Sequence, residues 1–152
     1  MRLTKWVRLA AVATIGLAGA AVPSGAHAAR ATEHCVLQVT GELDTGELVT
    51  APIECTSDAV AAGFLAPSSS VIARHYTGYN WTGSELDILG TSCSGGWLNM
   101  PAGWVNVIES TASICTVDHY DRYNLTGAYQ TLWSPGGNLT TLSQRTNSAV
   151  YY

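Results

Sequence analysis

His75-Tyr76-Thr77-Gly78-Tyr79-Asn80-Trp81-Thr82-Gly83 returns forty-four residues later as His119-Tyr120-Asp121-Arg122-Tyr123-Asn124-Leu125-Thr126-Gly127, with six of the nine positions identical. A phrase repeated at this spacing means that one supersecondary unit has been built twice. The units are β in character. From Val71 to Tyr152 no helical period is present, and Gly- and Asn-containing turns interrupt runs of β-branched and aromatic residues. This pattern predicts antiparallel strands. In each copy a strand ending at Tyr76 or Tyr120 runs into a turn through Asn80 or Asn124 and then a Thr-Gly step. A glycine at a fixed offset from aromatic residues marks backbone with positive φ, or backbone too crowded for a Cβ. Ser110 and Ser148 follow late in each copy, where a hydroxyl can tie the last strand back to the turn.

The ends of the chain set its context. Arg2, Lys5 and Arg8 precede an apolar run from Leu9 to Val22, and Ala26-His27-Ala28 follows. That order predicts a secretory signal peptide over residues 1–28 and an exported product. Its removal leaves Arg30, Arg74, Arg122 and Arg145 against eleven acidic residues, a net charge of −7. Without lysine, such a surface is unsuited to phosphate backbones or anionic membranes. Neither nucleic acid nor membrane is therefore expected as a partner.

Cys35, Cys55, Cys93 and Cys115 form an even set, which reads as disulfides in an exported chain. Of three possible pairings, Cys35 with Cys55 and Cys93 with Cys115 is favoured, because the two loops are similar in size and neither crosses the domain boundary. Cys35 to Thr40 alternates as a strand, Leu48 to Ile53 reads as its return, and Gly41 to Gly46 supplies the turn. Thr56-Ser57-Asp58 offers helix caps before Ala59 to Ala62, one short helix that Gly63 ends. The polar break Pro67-Ser68-Ser69-Ser70 separates this extension, 29–70, from the repeated part, 71–152.

The spacing aromatic-x4-aromatic-x-Gly with a later serine resembles the Greek-key signature of the βγ-crystallin superfamily. Tyr76, Trp81, Gly83 and Ser110 match it in the first copy, and Tyr120, Gly127 and Ser148 in the second, where Leu125 replaces an aromatic residue. The resemblance implies an all-β, two-motif Greek-key sandwich over 71–152, with motifs about 71–114 and 115–152, preceded by a disulfide-closed hairpin extension. Exported crystallin-type domains with two disulfides resemble actinobacterial metalloproteinase inhibitors. That likeness implies a secreted inhibitor of an extracellular peptidase acting through a rigid loop. The best candidate is Ser94-Gly95-Gly96-Trp97-Leu98, tethered at Cys93, since a restrained loop avoids part of the ordering cost of binding. Gly95-Gly96 also reads as a plain turn, with Trp97 and Leu98 opening a core strand. The alternatives are a non-enzymatic module that uses its aromatic faces on cell-wall polysaccharide or another surface, and an exported crystallin-type toxin.

Crystallin-type domains also bind calcium just before the late serine. Asn106, Glu109 and Ser110 are the candidates here, whereas Ser143-Gln144-Arg145-Thr146-Asn147-Ser148 lacks the leading oxygen ligands and places a guanidinium beside the site. No cofactor is otherwise expected. Glu42, Asp44 and Glu47 read as a solvated hairpin tip. His75 and His119 recur with the turns they precede, which assigns them to the scaffold. No nucleophile elbow, HExxH helix or P-loop occurs, so an enzyme is not expected. Three glycosylation sequons, at Asn80, Asn124 and Asn138, add little, because two arise from the repeat itself.

Overall fold

The computed structural model describes residues 32–57 and 70–152. The expected signal peptide and the expected short helix at 59–62 lie outside these residues. Among the described residues all regular structure is β, in eleven strands.

The first copy of the motif supplies β4 (Ser70–Gly78), β5 (Thr82–Gly90), β6 (Gly96–Asn99) and β7 (Ser110–Ser113). The second supplies β8 (Val117–Tyr120), β9 (Tyr129–Leu132), β10 (Gly136–Asn138) and β11 (Ser148–Tyr151). Within each copy the fourth strand returns beside the first, giving the neighbours β7-β4-β5 and β11-β8-β9. The third strands are exchanged. β6 joins the edge of the second copy's sheet at β11, and β10 joins the first copy's sheet at β7. The result is two Greek keys closed into one two-sheet sandwich, with neither half able to complete its sheet alone.

The tight hairpins explain the repeated phrase. Asn80 and Trp81 have φ of 54° and 61°, and Asn124 and Leu125 have φ of 57° and 53°. Two consecutive positive φ values reverse the chain tightly, with the twist that antiparallel strands need. Asparagine tolerates this conformation, whereas Trp81 and Leu125 are held in it at a cost of about 1 kcal/mol each. Ser110 Oγ accepts the Trp81 N–H at 3.1 Å and donates to the Gly78 carbonyl at 2.6 Å. Ser148 Oγ does the same for Leu125 N–H and the Arg122 carbonyl, at 3.1 and 2.7 Å. Asn138 pairs with Asn80, and Asn99 with Asn124, through amide contacts of 2.7–2.9 Å. The sequon asparagines are thus engaged in holding the turns.

Gly83 and Gly127 both have φ of 84°. A Cβ on Gly83 would stand 2.5 Å from Thr77 Oγ1, and one on Gly127 would stand 2.1 Å from Asp121 Oδ1. Those side-chain oxygens accept the N–H groups of Ser84 and Ala128. Glycine is therefore required twice over at each hinge, by dihedral and by space.

The extension enters the same sandwich. β1 (His34–Glu42) runs parallel to β5 over five register pairs, so the boundary at residue 70 is a boundary in sequence and not between separate bodies. The single return strand expected over 48–53 is two short strands, β2 (Leu48–Thr50) and β3 (Glu54–Thr56). Pro52 lies between them and cannot donate to a ladder, which breaks the strand there. Cys35 and Cys55 are register partners across β1 and β3 and form one disulfide, with Cα atoms 4.1 Å apart. Cys93 and Cys115 form the other, with Cα atoms 5.5 Å apart, joining the segment before β6 to that before β8.

Between the sheets lie Leu37, Ile72, Leu86, Ile88, Leu98, Ile108, Val117, Leu139, Leu142 and Tyr151, all under 5% exposed. Burial of such side chains contributes roughly 1.5–3 kcal/mol each, before the opposing chain entropy.

Candidate functional site

The loop expected at Ser94–Leu98 is mostly strand. Gly96, Trp97 and Leu98 lie in β6, paired with Tyr151, Val150 and Ala149 of β11. Leu98 is buried in the core, because alternation along β6 turns it inward. Trp97 turns outward but is covered by the N-terminal hairpin. Its N–H donates to the Gly46 carbonyl at 2.9 Å and its indole Nε1–H to the Thr45 carbonyl at 3.2 Å. Only Ser94 and Gly95 stand outside the strand, and Gly95 N–H is tied to the Tyr151 carbonyl at 2.7 Å. The turn-and-strand alternative describes this segment, and a free inhibitory loop does not.

The calcium candidates are occupied by protein contacts. Ser110 Oγ holds the hairpin, Asn106 Oδ1 accepts from Asn147 Nδ2 at 2.9 Å, and Glu109 accepts a short hydrogen bond from Gln144. In the second copy Arg145 pairs with Asp121 at 2.6 Å. A hard dication needs six to eight converging oxygens, and each of these candidate side chains already makes a protein contact. Among the described residues no group of three or more His, Cys, Asp and Glu side chains is placed to hold a metal.

His75 and His119 are fully buried between the sheets. His75 Nδ1 is 2.9 Å from Thr111 Oγ1, which is itself 2.9 Å from His119 Nε2, and His75 Nε2 is 2.9 Å from Tyr151 OH. The chain of contacts links β4, β7, β8 and β11 across both sheets. Desolvation pushes His75 well below its ordinary pKa, with the His119 ring adding to the effect. Desolvation lowers His119 to about 4, partly offset by the Val117 and Gln130 carbonyls beside it. Burial raises the Tyr151 phenol. All three groups are buried, and their contacts tie the two sheets together.

A cavity of about 280 Å3 lies between the N-terminal hairpin and the segment before β6, lined by Thr40, Glu42, Leu48, Ile72, Ser92 and Tyr151 among others. Its polar lining is one carboxylate, Glu42, with the side chains of Thr40, Thr91, Ser92 and Ser94. The acidic hairpin tip is ordinary turn structure, with Gly46 N–H donating to the Leu43 carbonyl at 2.9 Å.

The surface that stands out was not singled out from the sequence. On the four-stranded sheet, register places Asp118 beside Thr131 and Tyr120 beside Tyr129. These residues alternate with inward-facing Val117 and His119, so all four face outward. The Tyr120 and Tyr129 rings stack with centroids 5.5 Å apart. At the other end Trp133 and Tyr152 wall a shallow groove of about 310 Å3 with Thr116, Asp118 and Thr131. Trp133 is 73% exposed, Tyr129 61% and Tyr152 54%. Thr131 Oγ1 donates to Asp118 Oδ1 at 2.5 Å. Burial raises the Tyr120 phenol, with Asp118, Tyr152 and Tyr129 contributing in that order. The outward i, i+2 step along β9 carries Tyr129 to Thr131 and on to Trp133, a reach of about 14 Å at strand geometry.

No family model matches the chain, and no curated protein matches it. Among solved structures, a βγ-crystallin domain from Clostridium beijerinckii is similar at 18% identity, covering 53% of this chain and 97% of that one with a TM-score of 0.44. A double mutant of clostrillin in complex with nickel is similar at 19% identity, over 56% of this chain and 98% of that one, with a TM-score of 0.43. The strand order and the exchanged third strands make the fold an all-β sandwich with two Greek-key motifs and an N-terminal disulfide-closed hairpin extension.

Proposed function

We propose that the protein is a non-catalytic extracellular binding module that holds an extended polysaccharide on the outer face of its four-stranded sheet. The observation that carries this reading is the line of exposed rings at Tyr129, Trp133 and Tyr152, with the Asp118–Thr131 pair between them. Contiguous exposed apolar patches mark surfaces that a partner covers, whereas singly exposed rings are ordinary. Sugar rings present apolar C–H faces to stack on such side chains and hydroxyl groups at their edges for hydrogen bonds. Rings spread along one face of the sheet suit a chain lying across it better than a compact ligand in a cavity.

The two disulfides fit an oxidising environment outside the cytosol. For peptidase inhibition through the expected loop, Ser94 and Gly95 are what remains outside the strand, because Trp97 and Leu98 are committed to β6.

Co-sedimentation with insoluble polysaccharides tests the proposal. Retention that falls about tenfold on Trp133→Ala, but not on Trp97→Ala, is the expected result, since stacked rings typically contribute about 1 kcal/mol or more. Failure to bind any polysaccharide, together with stoichiometric slowing of a thermolysin-type peptidase, would replace the proposal by inhibition.

A further inference from the structure

The polysaccharide reading leaves the chemistry of the sugar open, and Asp118 narrows it. Asp118 is the one charged side chain in the groove that Trp133, Tyr152, Thr116 and Thr131 also line. Among the described residues the ion pairs are His34–Glu85, Arg74 with Asp87 and Glu85, and Arg145–Asp121, and Asp118 is in none of them. Its carboxylate accepts a hydrogen bond from the Thr131 hydroxyl. An ionised carboxylate accepts at about four positions, so most of its capacity faces the groove.

A carboxylate in such a place discriminates between sugars. It repels uronic acids and phosphorylated polymers, a tendency that the excess of eleven acidic over seven basic residues in the chain reinforces. It accepts a hydroxyl from a neutral sugar, but it pairs more strongly with an ammonium, because the attraction of opposite charges adds to the hydrogen bond. The flanking rings favour the same ligand, since a cation over a Trp or Tyr face is attracted by the ring quadrupole. An acetylated amine offers neither gain.

We infer that the ligand is a polysaccharide of amino sugars with free amines, one ammonium seated against the Asp118 carboxylate while neighbouring sugar faces lie on Trp133 and Tyr152. This rests on the polysaccharide reading, and the experiment separates the two.

Calorimetric titration of the purified protein with three oligosaccharides of equal length and linkage, made of glucosamine, N-acetylglucosamine and glucose, is the test. The glucosamine oligomer is expected to bind about tenfold more tightly than the other two, the scale of one hydrogen bond to a charged group. Asp118→Asn keeps an acceptor for Thr131 and is expected to erase that preference, leaving weak binding common to all three. Trp133→Ala is expected to weaken all three. Equal binding of the three oligomers by the unmodified protein overturns the inference and leaves the polysaccharide reading standing. So does a preference that survives Asp118→Asn. Displacement of the glucosamine oligomer by polylysine of equal charge also overturns it, by reducing recognition to charge alone. Binding of none of the three, or binding indifferent to Trp133→Ala, sinks the polysaccharide reading itself. Unchanged thermal unfolding of both variants shows that the fold is intact.

Discussion

The two outer faces of the sandwich satisfy their side chains in opposite ways. On the seven-stranded sheet, Arg74 and Asp87 are register partners that form two hydrogen bonds, at 2.5 and 2.7 Å, and His34 meets Glu85 at 2.7 Å. The Arg74 and Asp87 charges neutralise each other, and the Arg74 guanidinium is pushed further toward its charged form, chiefly by its hydrogen bond to Asp87. On the four-stranded sheet, the rings of Tyr129 and Trp133 lie open and Asp118 has a hydroxyl for a partner. The difference teaches where to look for function in a sandwich built from a repeat. A face whose groups are already paired has little to offer a ligand.

The largest expected effect strikes both faces at once, through the bridge between the sheets. His119 is lowered to about 4 in the folded protein, against an ordinary value of 6.5. The unfolded chain therefore binds more protons between these values, and stability rises with pH there. The contribution is complete above about pH 6.5, falls as pH drops toward 4, and from His119 alone amounts to about 3 kcal/mol. His75 shifts the same way and adds to the loss. Urea unfolding at pH 7 and pH 4.5 checks this, and equal midpoints would contradict it.

The hinge glycines separate the faces. Gly83→Ala and Gly127→Ala each force an unfavourable dihedral and displace a hydrogen-bonded side chain, an expected loss of about 2 kcal/mol each. Gly127 precedes β9, so its substitution should also reduce polysaccharide retention, whereas Gly83→Ala should not at temperatures where the protein remains folded. Paired melting and retention measurements on the two variants read this contrast. A smaller effect is expected from Trp133→Ala, about tenfold in retention with no change in melting, because its side chain is mostly in solvent. The smallest comes from Arg74→Ala, whose partly exposed ion pair contributes about 1 kcal/mol or less to stability and nothing to retention.

Much of the scaffold was legible because its constraints are local. The doubled phrase marks two hairpins, and the offsets of Gly83, Gly127, Ser110 and Ser148 follow from turn geometry that recurs with each copy. The cysteine spacing led to the disulfide pairs that the structure holds. The exchange of β6 and β10 was not legible, because those strands are four and three residues long and carry no shared phrase. Trp97 drew attention through its flanking glycines, and only the tertiary contact with Thr45 and Gly46 shows that it is covered. The outer face escaped for a related reason. Asp118, Thr131, Trp133 and Tyr152 come from β8, β9, the turn after it and the chain's last residue, and only register brings them together.

The central claim, that the four-stranded sheet presents the binding face, is tested most directly by mapping backbone amide shifts during titration with a polysaccharide fragment. The account predicts shifts concentrated at Asp118, Tyr129, Thr131, Trp133 and Tyr152, with His34, Arg74, Glu85 and Asp87 unmoved. Shifts centred on the seven-stranded sheet or on residues 91–95, with Trp133 silent, would contradict it.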